Sequence, residues 1–178
     1  NHLAYEVEVG NARDVREFVY VDAHDGNVVD QITGIHEALA RRVYDGGYGP
    51  TFVVWNEGDP LPHPDVDINN IITFTGHTYN FFFNAFGRDS YTGTGQLMEI
   101  VNDDPGIACP NANWNGVSTN YCTGVTGDDT VAHEWGHAYT EYTHGLIYAW
   151  QSGALNESYS DIWGEVVDTI NGPNLPDA

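Results

Sequence analysis

Asp128-Asp129-Thr130-Val131-Ala132-His133-Glu134-Trp135-Gly136-His137 carries two histidines four residues apart, with a glutamate directly after the first. On an α-helix, residues four apart stand one above the other, so both imidazoles face one way. Two ring nitrogens so placed can share one Zn²⁺ at ~2.0–2.1 Å. Glu134 then lies beside the open coordination position, where it can take a proton from the attacking water as a general base. With eight histidines in 178 residues, the pattern arises by chance about 0.02 times per chain of this size. The competing reading is a surface helix whose histidines are merely solvated. Asp128 or Asp129 is the candidate N-cap of the helix.

A site with two histidines needs a third protein ligand. His144 follows His137 by seven residues and would return to the same helical face. The metzincin pattern is excluded, because Thr140 and Thr143 stand where it requires Gly and His. The better candidate is Glu157, in Ser152-Gly153-Ala154-Leu155-Asn156-Glu157, with Asp161 one turn later. A carboxylate at Asp161 can accept the free N–H of a ligand histidine and fix its tautomer. The plain alternative for both is an acidic first turn favoured by the helix dipole.

Working outward, helical patterns are expected over about 128–142 and about 154–170, so that Glu157 falls at the start of the latter. A further helix is expected over 67–86, where Ile68, Ile71, Ile72, Phe82 and Phe83 recur at helical spacing and Gly87 follows as a stop. The stretch 88–127 is turn-rich with short strands. Residues 44–66 read as a loop around one strand at Phe52-Val53-Val54-Trp55. The first 35 residues read as three short strands, with Asp25-Gly26 as a hairpin turn. A short helix is expected from Ile35 to Val43, and a module boundary between about 40 and 50.

The charge balance is one-sided. Five basic residues, all Arg, face 26 acidic ones, for a net −21. Such a field repels phosphate backbones and anionic lipid, so neither nucleic acid nor a membrane surface is an expected partner. It suits a secreted protein, one living in salt, or one holding divalent cations. No apolar run approaches the ~18 residues of a membrane span. The two cysteines, Cys109 and Cys122, could close a disulfide in an oxidising compartment or remain buried thiols. The start at Asn1 and the end at Ala178 are those expected of an internal piece of a longer precursor.

His133-Glu134-x-x-His137, Gly145-Leu146-Ile147-Tyr148 and Ser152-Gly153-Ala154-Leu155-Asn156-Glu157-x-x-Ser160-Asp161-Ile162-Trp163-Gly164 together resemble the thermolysin-like (M4, gluzincin) metallopeptidases. The likeness covers roughly 40–178. Tyr20-Val21-Asp22-Ala23-His24-Asp25-Gly26 resembles the tail of that family's inhibitory propeptide. The resemblance implies a secreted zymogen that hydrolyses peptide or protein substrates and is restrained by its own propeptide. It implies an α+β fold. Residues 1–42 would be the propeptide tail. Residues 43–178 would be a truncated N-terminal half, with a twisted, mostly antiparallel sheet and long zinc-binding helices; the C-terminal helical domain would be missing.

Carried over by position, His133, His137 and Glu157 are implied as zinc ligands and Glu134 as the base. Asp161 is implied as the partner of His133, and Tyr148 as a donor to the developing oxyanion. Asn111, Ala112 and Trp114 match the edge strand along which substrate pairs, and Cys109–Cys122 would staple its loop. Asp129 and Asp168 fall where the family places two calcium ligands; a solvated acidic face is the alternative. Two departures stand out. Trp135-Gly136 replaces the more usual Leu-Thr, and a helical glycine costs ~1 kcal/mol relative to Ala, which points to close packing against another backbone. Thr130 stands where an apolar residue often lines the specificity pocket. A non-catalytic module that kept the fold and the metal is the alternative function; loss of Glu134 or of a ligand would have favoured it.

Overall fold

A computed structural model describes residues 3–10, 16–33 and 39–171. The chain divides into two compact units, Asn1–Ala38 and Leu39–Ala178.

The first unit holds a three-stranded antiparallel sheet in the order β1–β2–β3, with β1 Ala4–Gly10, β2 Arg16–Asp22 and β3 Val28–Thr33. The β2–β3 turn is the one expected from Asp25-Gly26. Gly26 takes a φ of 75°, which a side chain would resist, and its N–H donates to the Asp22 carbonyl.

The second unit is a five-stranded sheet with three helices. Its strands are β4 Arg41–Asp45, β5 Val53–Asn56, β6 Met98–Asn102, β7 Ala112–Trp114 and β8 Ser118–Tyr121, in the order β5–β4–β6–β8–β7. The α+β class expected from sequence is the one observed. The sheet is not the mostly antiparallel one expected but mixed: β4–β6 and β6–β8 are parallel, while β4–β5 and β7–β8 are antiparallel. The parallel pairs require long connections that return the chain to the same end of the sheet. A 21-residue helix, α1 Val66–Phe86, forms part of the one between β4 and β6.

The expected helix over 35–43 is not borne out where it can be compared. Residues 34–38 lie outside the described residues, and Arg41–Asp45 is a strand. Val43 and Tyr44 are buried and β-prone, and pairing on both sides with β5 and β6 outweighs the short helical periodicity.

The helix α1 begins at the side chain of Asp65, which accepts the Asp67 and Ile68 N–H groups, and ends at Gly87 in the left-handed conformation. It buries Ile68, Ile71, Ile72 and Phe82. The next helix, α2 Asp128–Glu141, contributes Val131, Trp135, Ala138 and Tyr139 to the same core. Phe82 stacks on Tyr139 at 3.7 Å between centroids. The last helix, α3 Trp150–Asn171, packs along α2. It starts four residues before the expected position, so Glu157 lies in its interior rather than at its beginning. Its first turn holds no acidic residue, which removes the dipole explanation for Glu157 and Asp161.

Candidate active site

The residue that caps α2 is Gly127, not Asp128 or Asp129. Both aspartates instead occupy the first turn, where a negative charge is favoured by the helix dipole. The helix then presents His133 and His137 on one face, with their Nε2 atoms 3.1 Å apart. Across from them, α3 brings Glu157, whose carboxylate oxygens stand 3.3 Å from His133 Nε2 and 3.7 Å from His137 Nε2.

Atoms bound to one tetrahedral zinc at ~2.0–2.1 Å are ~3.3 Å apart. The observed 3.1, 3.3 and 3.7 Å separations fit that geometry, and two imidazoles with one carboxylate are a donor set suited to zinc. Among the described residues, this is the one such metal-holding group of histidine and carboxylate side chains.

The outer nitrogens are also held. His133 Nδ1 lies 3.0 Å from Asp161 Oδ1. His137 Nδ1 lies 2.7 Å from Asn156 Oδ1 and 3.1 Å from Ser160 Oγ. Asp161 was anticipated from sequence; Asn156 and Ser160 were not. The signal was there, since both lie in the Asn156-Glu157-x-x-Ser160-Asp161 run, one residue before each anticipated carboxylate. Burial pushes the His137 pKa down, which favours the neutral imidazole that a metal requires.

The interior of the zinc motif explains its own departures. Trp135 is fully buried, and its indole N–H donates to Thr75 Oγ1 of α1 at 3.0 Å. A side chain at Gly136 would place its Cβ 3.1 Å from Ser160 Cα, so α3 approaches α2 at that point. The same contact brings Ser160 to His137.

A cleft of about 770 Å³ runs in front of these groups. It is lined by Asn111, Ala112 and Trp114 of the β7 region, by Glu134 and Glu141 of α2, and by Tyr148 and Glu157. Glu134 is largely buried, and its pKa is pushed up to about 7. Burial is the main cause and the Glu157 charge adds to it, while the Trp114 backbone N–H, as a donor to the carboxylate, opposes both. Tyr148 donates to Glu157 Oε1, and this bond is the first cause of a pKa raised to about 12.

His144 does not join the group. The helix α2 ends at Glu141, and the His144 ring sits 5.5 Å from that of Tyr159, in a second cavity with Phe82 and Trp163. Cys109 and Cys122 form a disulfide with Cα atoms 5.7 Å apart. It links the segment before β7 to the residue after β8. Asp129 and Asp168 are each near Asp128, which from sequence is a candidate N-cap and not a candidate calcium ligand. Asp128 is 1% exposed, and its Oδ2 has no hydrogen-bond partner. Its pKa is raised by burial and then by the Asp168 charge.

Two histidines and a glutamate on paired helices, beside the edge of a mixed sheet, form a group that can hold one metal ion. The chain belongs to the thermolysin metallopeptidase family. The family's catalytic domain matches residues 53–141 and its alpha-helical domain matches 144–175. From sequence, α3 is expected to belong to the N-terminal half, whereas the family match places it, and with it Glu157, in the alpha-helical domain.

Curated relatives include Bacillolysin of Brevibacillus brevis, 43% identical over 94% of this chain and 40% of its own length. A zinc metalloproteinase of Renibacterium salmoninarum is 37% identical over 60% of this chain and 22% of its own length. The precursor of protealysin, a metalloproteinase from Serratia proteamaculans, superposes with a TM-score of 0.70 at 33% identity. It covers 78% of this chain and 46% of its own. The chain thus spans less than half the length of these relatives. Among the described residues, no helix is long and apolar enough to cross a membrane.

Proposed function

We propose that this chain is part of a secreted zinc endopeptidase, in which His133, His137 and Glu157 hold the metal and Glu134 is the general base. The observation that carries this reading is the spacing of the three ligand atoms, with Glu134 on the same cleft. Zinc, when bound, supplies a Lewis acid that makes water a better nucleophile at neutral pH and polarises the scissile carbonyl.

Glu134 takes the proton of the attacking water as the new C–O bond forms. It then delivers that proton to the departing nitrogen as the C–N bond breaks. Tyr148, whose phenol stays protonated over the working range, donates to the developing oxyanion. Asp161 accepts from His133 and so orients that ligand. The free edge of β7, at Asn111, Ala112 and Trp114, pairs with the backbone of a peptide substrate. Residues 1–42 are the tail of a propeptide, a reading supported by the likeness to a precursor and by a separate compact unit, which ends at Ala38, short of that boundary. A calcium ion held by Asp129 and Asp168, together with the buried Asp128 carboxylate, completes the proposal.

The test uses the full-length protein after zinc repletion. His137→Ala should lose the metal, by elemental analysis. Glu134→Gln should keep one zinc per chain and lose ~10²–10⁴-fold in casein hydrolysis. Near wild-type cleavage by Glu134→Gln would remove Glu134 from its role, and unchanged zinc content in His137→Ala would remove the ligand set.

A further inference from the structure

We propose that Glu141 is a positioning residue that holds strand β7 against the cleft by accepting the indole N–H of Trp114; the inference rests on the peptidase reading above. The strand has three residues and pairs on one side only, with β8. Such a short edge is weakly fixed by its own ladder. Trp114, its last residue, supplies the missing anchorage. Its Nε1 donates to Glu141 Oε2 at 2.7 Å.

Glu141 closes α2, seven residues after Glu134 and therefore two turns along the same face. Both carboxylates line the cleft. One residue of β7 thus meets the second of them, through its indole N–H at Glu141. The indole is held from behind as well, with ring centroids 5.3 Å from Tyr91 and 5.8 Å from Trp135. Of these supports, the Glu141 bond is the one that ties the strand to the far end of the metal-bearing helix.

Glu141 does not touch the reacting atoms, so its loss should weaken peptide binding without slowing the chemistry. The comparison is between wild type, Glu141→Ala, Glu141→Gln and Trp114→Phe, each as full-length, zinc-loaded protein. Glutamine keeps an oxygen acceptor, and phenylalanine keeps the ring but removes the donor. Glu141→Ala and Trp114→Phe should raise KM for peptide substrates about fivefold to tenfold with kcat within twofold. They should also speed amide hydrogen exchange over residues 111–116, whereas Glu141→Gln should stay near wild type in both readouts.

Three results would overturn the proposal. Glu141→Gln could match Glu141→Ala, which would make the charge and not the bond responsible. Exchange and KM could be unchanged in Glu141→Ala. Or kcat could fall while KM held. If zinc-loaded wild type cleaves no peptide, the peptidase reading fails by itself. The exchange comparison then decides the strand anchorage alone: faster exchange in both donor- and acceptor-deleted proteins keeps it, and unaltered exchange rejects it.

Discussion

Glu134 shows how one residue can be costly to the fold and useful to the site. It is 7% exposed, and its carboxyl is raised from 4.5 to about 7 by burial and by Glu157. A group that binds its proton more tightly in the folded chain destabilises that chain wherever the unfolded form would ionise. In the metal-free protein the penalty is therefore absent below about pH 4.5. It grows as the pH rises through the window from 4.5 to 7 and is complete above it, at roughly 3 kcal/mol. Glu134→Gln should accordingly raise the denaturation midpoint of metal-free protein at pH 8 and leave it nearly unchanged at pH 4. Equal shifts at both pH values, followed by urea titration, would contradict a perturbed Glu134.

At the scale of elements, the site depends on how closely α3 lies on α2. Gly164 of α3 faces the first turn of α2, and a Cβ there would stand 2.8 Å from the Asp129 carbonyl oxygen. Neither backbone can yield without moving a helix that carries part of the His133, His137 and Glu157 group. Gly164→Ala gains ~1 kcal/mol of helix propensity, yet overpacking of this kind costs ~1–3 kcal/mol. The net expectation is a lower melting temperature together with weaker zinc retention, measured by competition with a chelator. A Gly164→Ala protein as stable as wild type with unaltered zinc affinity would show that the helices have slack. The same closeness explains why Asn156 and Ser160 were not anticipated. Helical spacing shows which residues of α3 share a face, but their distance from His137 depends on the approach of a second helix.

For the whole molecule, a net charge of −21 makes self-repulsion a property of the chain rather than of any pair. The Debye length is ~30 Å at 0.01 M salt and ~10 Å at 0.1 M. Added NaCl should therefore raise the melting temperature gradually. A calcium ion bound only by the folded state adds RT ln(1 + [L]/Kd), so millimolar CaCl₂ at matched ionic strength should add a further, saturable increase. Asp129→Asn combined with Asp168→Asn should remove that increase and leave the NaCl response. If CaCl₂ adds nothing beyond NaCl, the cluster around the buried Asp128 is not a calcium site.

By itself, the sequence determined what local pattern can encode. The 3.6-residue period and the Gly87 stop placed α1 almost to the residue, and i, i+4 spacing put His133 and His137 on one face. The Asp25-Gly26 step marked a hairpin through the backbone freedom of glycine. Motif order carried the likeness to the thermolysin family. Tertiary structure decided whatever depends on neighbours distant in the chain. Arg41–Asp45 became a strand because β5 and β6 flank it, and the sheet became mixed because α1 returns the chain to the same end. His144 left the metal face because α2 stops at Glu141. Asp128 became a buried carboxylate beside Asp168. Each of these outcomes follows from side chains meeting across elements, where burial and pairing outweigh the weak preferences of a short segment.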